Sequence, residues 1–263
     1  MGGIPGKRAV HAVDKFEGML PRPRALLLDF GGVIADAPPQ RTAPPELVLR
    51  LYNLIGAACT PGEIQRSLTE GAAAHARWRD EDQPDELSQT EVWDRFVTCD
   101  WPRAARAAVR ASAAKLSYDW TYRNNWALRP GVPKALNAAA DRGLPMAVVS
   151  NTLCGNAHRD FLAKTEAGLL FAAQIYSDEA GVRKPNPQMI WNATDELAVA
   201  PEQCWFVGDS RRRDIACARR ADIGAAILMR SPRTDAEDPA AGPPPDATVE
   251  DGFGLATLLA EAE

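Results

Sequence analysis

A chain of 263 residues that is 46% hydrophobic and 25% charged can bury a substantial core and is too apolar for disorder to be its default. Its formal net charge of −5 excludes a general nucleic-acid binder, which carries a basic excess, and no apolar run approaches the roughly 18 residues of a membrane span. Five cysteines, Cys59, Cys99, Cys154, Cys204 and Cys217, with no CxxC pair, point to reduced thiols rather than a disulfide framework, and so to a cytoplasmic protein.

Residues 1–23, MGGIPGKRAVHAVDKFEGMLPRP, have basic residues but no continuous apolar stretch. They read as a tail, not a signal peptide. A short β run, Ala25–Leu28, follows and enters a turn with Gly31 and Gly32. The prolines of APPQRTAPPE (37–46) cannot continue a helix or a central strand and mark a linker. From there to about Tyr122 the pattern is helical. PELVLRLYNLI spaces Leu47, Leu51, Leu54 and Ile55 on one face, and Thr60-Pro61-Gly62-Glu63 reads as an N-cap, a proline at the first helical position and an early acid. SQTEVWDRF and WPRAARAAVRASAAKL give further helices. Between Pro38 and Asn125 there are 11 Lys/Arg against 12 Asp/Glu, a balanced surface with no basic face.

From Trp126 the rhythm becomes alternating helix and strand. RPGVPKALNAAADRG is a helix, PMAVVSN a strand, FAAQIYSD a strand and PQMIWNATDELA a helix. CWFVGDS, RRRDIACARRADIG and GAAILMR continue as strand, helix and strand. Such alternation predicts parallel strands joined by right-handed crossovers, a doubly wound α/β sheet. SPRTDAEDPAAGPPPD (231–246) reads as a long polar loop, before a last strand (ATV) and a helix (GLATLLAE).

In such sheets ligands sit beyond the carboxyl ends of the strands. What the strands deliver there is Asp29, then Ser150 and Asn151 in VVSNT, then Lys184 in GVRKPNP, then Asp209 in FVGDSRRRD with Asp214 five residues on. Each has a task if the substrate is a phosphate ester. A carboxylate can attack phosphorus and split one hard step into two. Asp29, Asp209 and Asp214 offer the hard oxygen ligands that suit Mg²⁺. The Ser150 hydroxyl can bind phosphoryl oxygens, and Lys184 can offset negative charge in the transition state. Singly, each of these residues is an ordinary turn residue. Four such segments, in order, each ending a β-like run, are harder to explain that way.

The set DFGGV, SNT, RKPNP and GDSRRRD resembles the four motifs of the haloacid dehalogenase-like hydrolase superfamily, and the helical insert resembles the C1 cap of its subfamily I. The match covers about residues 24 to 260. The resemblance implies a Rossmann-like core over 24–37 plus 126–263, an all-helical cap over 38–125, and an aspartyl-enzyme intermediate on Asp29. It also implies Mg²⁺ held by the side chains of Asp29 and Asp209 and the backbone carbonyl of Gly31, with Gly32 and Asn151 beside the substrate.

In the family's phosphatases the residue two after the nucleophile is usually a second Asp, the general acid. Here it is Gly31. General acid–base catalysis is worth about 10²–10⁴-fold, so its loss weakens but does not abolish covalent catalysis. Three readings follow: a phosphatase of a small phosphorylated metabolite with an easy leaving group, a 2-haloacid dehalogenase using Asp29 on carbon, or an impaired binding member. The first is preferred, because displacement at carbon has no use for GDSRRRD. His158 reads as structural, with the role of substitute acid as its alternative. Arg211–Arg213 read as a solvated basic loop, with one arginine meeting a substrate anion as the alternative. His75 and Trp78 lie where the family's caps carry their substrate-selecting loop, and Trp78 and Arg79 could form the pocket lid, though an aromatic in a helical cap is more often core. The expected partner is therefore a small phosphorylated molecule, with no nucleic acid or membrane, and a monomer or homodimer.

Overall fold

The computed structural model describes residues 13–15, 20–38, 42–56, 58–80 and 85–262. Most of the segment read as a tail (1–12, 16–19) and part of the proline-rich linker (39–41) lie outside the described residues. Strands β1 (Val13–Lys15), β2 (Ala25–Leu28) and β3 (Ala35–Asp36) precede helices α1 (Pro45–Leu54), α2 (Pro61–Arg79), α3 (Gln89–Val92), α4 (Arg103–Ala111) and α5 (Ala113–Thr121). After β4 (Ala127–Leu128) come α6 (Val132–Ala140), β5 (Met146–Ser150), α7 (Gly155–Lys164), β6 (Ala173–Tyr176), α8 (Ser177–Ala180) and α9 (Gln188–Leu197). The chain ends with β7 (Cys204–Gly208), α10 (Ala216–Arg220), β8 (Ala225–Met229), α11 (Pro232–Ala236), β9 (Ala247–Val249) and α12 (Gly252–Glu261).

The main sheet has the order β1-β9-β8-β7-β2-β5-β6. All its pairs are parallel except β1 with β9. Because side chains alternate across a strand, Leu26 and Leu28 pack with Val148 and Val207 beneath Leu136 of α6 and Leu255 of α12. Leu27 points the other way, with Val149 and Phe206 against Ile190 of α9 and Ala218 of α10. Strands covered on both faces read as continuous apolar runs, which is why ALLL, MAVVS and AAILM were visible in the sequence. Two segments differ from that reading. Val13–Lys15, inside the presumed tail, pairs with the sheet edge, and Pro232–Ala236, inside the presumed loop, is helical. Edge pairing uses backbone groups and leaves no apolar signature in three residues.

Helices α1–α5 enclose a separate core of Leu47, Leu51, Ile64, Leu68, Trp93, Val97 and Leu116. The Thr60–Glu63 capping box starts α2, and a second one, Ser88–Glu91, starts α3. The chain leaves the sheet through β3 and re-enters through β4, which pair antiparallel and are braced by Asp36–Arg129 at 3.2 Å. This inserted helical cap rests on the α/β core. Glu86 and Arg183 form a buried ion pair across the junction at 3.2 Å, and Gln89 donates to the Leu153 carbonyl at 2.9 Å. None of the helices among the described residues is long and apolar enough to cross a membrane.

Candidate active site

From β2 the chain runs through the cap to β5 on one side of β2, then crosses back to β7 on the other. The crevice above β2 is therefore a switch point. The Asp29 N–H donates to the Val207 carbonyl at 2.9 Å, tying the first residue after β2 to the end of β7. Gly32 has φ of +79°, and a Cβ there would overlap the Asp209 carboxylate. A Cβ on Gly208 would likewise overlap Asp214. Glycines at these positions let the two turns close on each other.

Asp29, Asp209 and Asp214 each place a carboxylate oxygen within 4.8 Å of the others. Lys184 Nζ lies 2.9 Å from Asp29 Oδ1 and 2.7 Å from Asp214 Oδ1, and donates to the Val149 carbonyl at 2.8 Å. Asp214 Oδ2 accepts from the Asp209 and Ser210 N–H groups, both at 3.0 Å. Burial opposes the charge on Asp29, but Lys184 and then Arg233 outweigh it and hold the carboxyl below its ordinary pKa. Burial also opposes the charge on Lys184, and Asp214 and Asp29 turn the net shift upward. Asp209 is pushed up to about 7 by burial, with Asp214 and Asp29 adding to the rise and Arg233 opposing it. Buried charges survive when paired and hydrogen-bonded. Here Lys184 shares one positive charge between two carboxylates.

The remaining residues singled out from sequence take varied places. Ser150 is buried at the end of β5 and lines the cavity. Asn151 lines it too, but its side chain accepts from Lys184 N–H at 2.8 Å and donates to the Lys184 carbonyl at 2.9 Å. Its amide therefore positions the lysine loop. Gly32 N–H donates to the Ala35 carbonyl at 3.1 Å and its carbonyl accepts from Arg129, so its contribution is room rather than a ligand contact. Gly31 borders the cavity, and a Cβ there would meet nothing within 4 Å. Arg79 and His75 line the cap side, as does Arg213 from the core. Trp78 is not on that wall: its ring stacks on His75, packs at a tilt against Phe96, and has Arg95 and Arg183 over it. His158 lies stacked on Phe30, with centroids 3.9 Å apart, and its pKa falls to about 3 by burial, then by Arg159 and Lys184. A neutral imidazole at working pH does not serve as the missing acid.

Sequence reasoning missed the group that covers Asp209. The Ser231 hydroxyl donates to Asp209 Oδ2 at 2.7 Å, Arg233 to Oδ1 at 2.9 Å, and Thr234 to the backbone carbonyl at 2.5 Å. A signal was present in Ser231-Pro232-Arg233-Thr234, a polar cap with proline at the first helical position. The structure shows a capping box there, with Thr234 N–H donating to Ser231 Oγ. Ser231, Pro232 and Arg233, with residues from the strand ends and the cap, line a cavity of about 1010 Å³.

Comparison with known proteins accords with this geometry. The haloacid dehalogenase-like hydrolase family matches residues 23–222. Over 121 residues the chain is 32% identical to a phosphoserine phosphatase of Thermus thermophilus, covering 46% of this chain and 47% of that protein. It is 25% identical over 214 residues to the phosphoglycolate phosphatase of Escherichia coli, covering 80% and 81% of the two chains. The chain spans about half the length of the first curated relatives it matches, 47% and 50%. The same fold occurs in the HAD-hydrolase YfnB of Bacillus subtilis, solved bound to magnesium, with a TM-score of 0.58 and 15% identity over 90% of this chain and 99% of that one. With three-quarters of its length inside the family match, the chain belongs to the haloacid dehalogenase-like hydrolases.

Proposed function

We propose that the protein is a Mg²⁺-dependent phosphatase that hydrolyses a small phosphate monoester through a phosphorylated Asp29. The observation that carries the reading is the convergence of Asp29, Lys184, Asp209 and Asp214 at the carboxyl ends of adjacent parallel strands. The donor set suits the cation: hard carboxylate oxygens grouped where the Gly32 turn leaves no room for a side chain beside Asp209. Asp29 and Asp209, with the Gly31 carbonyl, would hold the ion, and Asp214 would complete the acidic set. When bound, Mg²⁺ supplies positive charge that screens an attacking carboxylate from a phosphate dianion.

The residues of the chain divide the remaining work. Lys184 keeps Asp29 ionised and therefore nucleophilic, and its charge lies where the transferring phosphoryl group gathers negative charge. Asn151 fixes the backbone of that lysine. Ser150 offers a hydroxyl to a phosphoryl oxygen. In the first step an Asp29 oxygen bonds to phosphorus as the ester oxygen departs, taking a proton from solvent because Gly31 carries no acid. Water then attacks phosphorus, releasing inorganic phosphate and restoring Asp29. The relatives named for phosphoserine and phosphoglycolate support a small phosphorylated substrate.

The test is phosphate release from aryl and sugar phosphates, with Mg²⁺ and with a chelator, by wild type and by Asp29→Asn. Metal-dependent release by wild type and a loss of about 10³-fold or more in the variant are expected for removal of a covalent nucleophile. Undiminished release by Asp29→Asn would overturn the covalent mechanism. Metal-independent chloride release from a 2-haloacid, without phosphate release, would replace this reading with displacement at carbon.

A further inference from the structure

The cap side of the cavity contains three buried polar atoms with no hydrogen-bond partner among the described residues: Arg79 Nε, His75 Nε2 and Thr121 Oγ1. All three residues line the cavity. Buried polar groups are almost always paired, so each such exception calls for a cause. The charges show the same imbalance. Among the cavity's cations, Lys184 is paired with Asp29 and Asp214, and Arg233 with Asp209. Among its acids, Asp36 is taken by Arg129. Arg79, Arg123 and Arg213 also line the cavity, and none of them has an ion-pair partner among the described residues.

Arg79 is the centre of this surplus. Burial, and then Arg183, Arg213 and Arg233, bring its pKa down to about 10, so it remains charged at neutral pH while facing other cations. His75 is held neutral, its pKa lowered to about 3 by burial and then by Arg79 and Arg183, and can give or take one hydrogen bond. A guanidinium presents a rigid fork that matches a carboxylate or a phosphate.

We propose that this cap-side cluster, built on Arg79, is a second anion site that binds a carboxylate or a second phosphate at the far end of the phosphorylated substrate. The inference rests on the phosphatase reading and narrows it to small esters bearing two anionic groups. Core residues then act on one anion while Arg79 measures the distance to the other. Phosphate esters of similar size without a second anion would leave the buried Arg79 Nε unpaired, and so be discriminated against.

Two matched pairs separate the alternatives: 2-phospholactate against isopropyl phosphate, and 1,3-propanediol bisphosphate against propyl phosphate. Wild type is expected to favour the doubly anionic member of at least one pair by about 10- to 100-fold in kcat/KM. The pair that shows the preference identifies the anion. Arg79→Met should remove the preference by lowering kcat/KM for the doubly anionic member about 10- to 100-fold more than for its singly phosphorylated counterpart, and Arg79→Lys, which keeps the charge without the fork, should retain part of it. Equal handling of both members by wild type, or an equal loss on both in Arg79→Met, overturns the second site. If no ester is hydrolysed, the phosphatase reading fails, and calorimetric titration with malonate decides the site by itself. Binding weakened about tenfold or more in Arg79→Met upholds it, and no binding, or equal binding, overturns it.

Discussion

At the core end of the cavity, each carboxylate finds an opposite charge within 2.9 Å, Asp29 and Asp214 on Lys184 and Asp209 on Arg233. At the cap end, Arg79, His75 and Thr121 bury polar atoms with no partner among the described residues. The core end is organised before substrate arrives, because a buried carboxylate must be paired to stay ionised. Pre-placed charge of this kind needs no reorganisation at the moment of reaction. The cap end, in contrast, leaves its buried polar atoms unpaired. On the proposed function, one wall of the cavity serves chemistry and the other selection, and the two belong to different parts of the chain.

The largest effect expected from breaking the core end is that of Lys184→Met. Removing the shared ammonium leaves Asp29 and Asp214 facing each other in a buried site, which should cost about 3–5 kcal/mol of stability. Denaturant unfolding measures this, and an unchanged midpoint would show that the lysine does not hold the carboxylates together.

A smaller effect concerns a second ring nitrogen at the cavity with no hydrogen-bond partner among the described residues, His158 Nδ1. The His158 pKa falls to about 3 in the fold, against roughly 6.5 in an unfolded chain. Between these values the unfolded chain binds a proton that the folded chain refuses, so stability falls as pH drops through that window. From about pH 7.5 to pH 5 this histidine alone should cost about 2 kcal/mol. His158→Phe should shrink the loss over that interval by a similar amount. A pH dependence identical to wild type would place a proton on His158 in the folded protein.

The smallest and most selective effect is expected at Gly31, where a side chain would enter open space. Gly31→Asp supplies the absent acid and should raise turnover of alkyl phosphates, whose leaving oxygens need a proton, about tenfold more than that of aryl phosphates. Equal changes on both would mean that protonation of the leaving group does not limit the rate.

The sequence by itself determined the parallel strands of the sheet and the carboxylates they carry, though not its antiparallel edge strand Val13–Lys15. ALLL, MAVVS, CWFVG and AAILM are apolar because both faces are covered, and polar residues begin where each strand ends. Asp29, Ser150 and Asp209 therefore stood out without coordinates, and Lys184 and Asp214 followed from their places in the neighbouring loop and in the helical segment after β7. Only the tertiary structure decided what touches what. Asn151 was visible as a residue, but its use in clamping Lys184 depends on bonds between positions 33 residues apart. Arg233 lay in what read as a long polar loop, and its contact with Asp209 spans 24 residues. Trp78 and Arg79 are adjacent in sequence, yet one packs against Phe96 while the other faces the cavity. A helix turns successive side chains by about 100°, so only the docking of the cap on the core chose which of the two would meet a ligand.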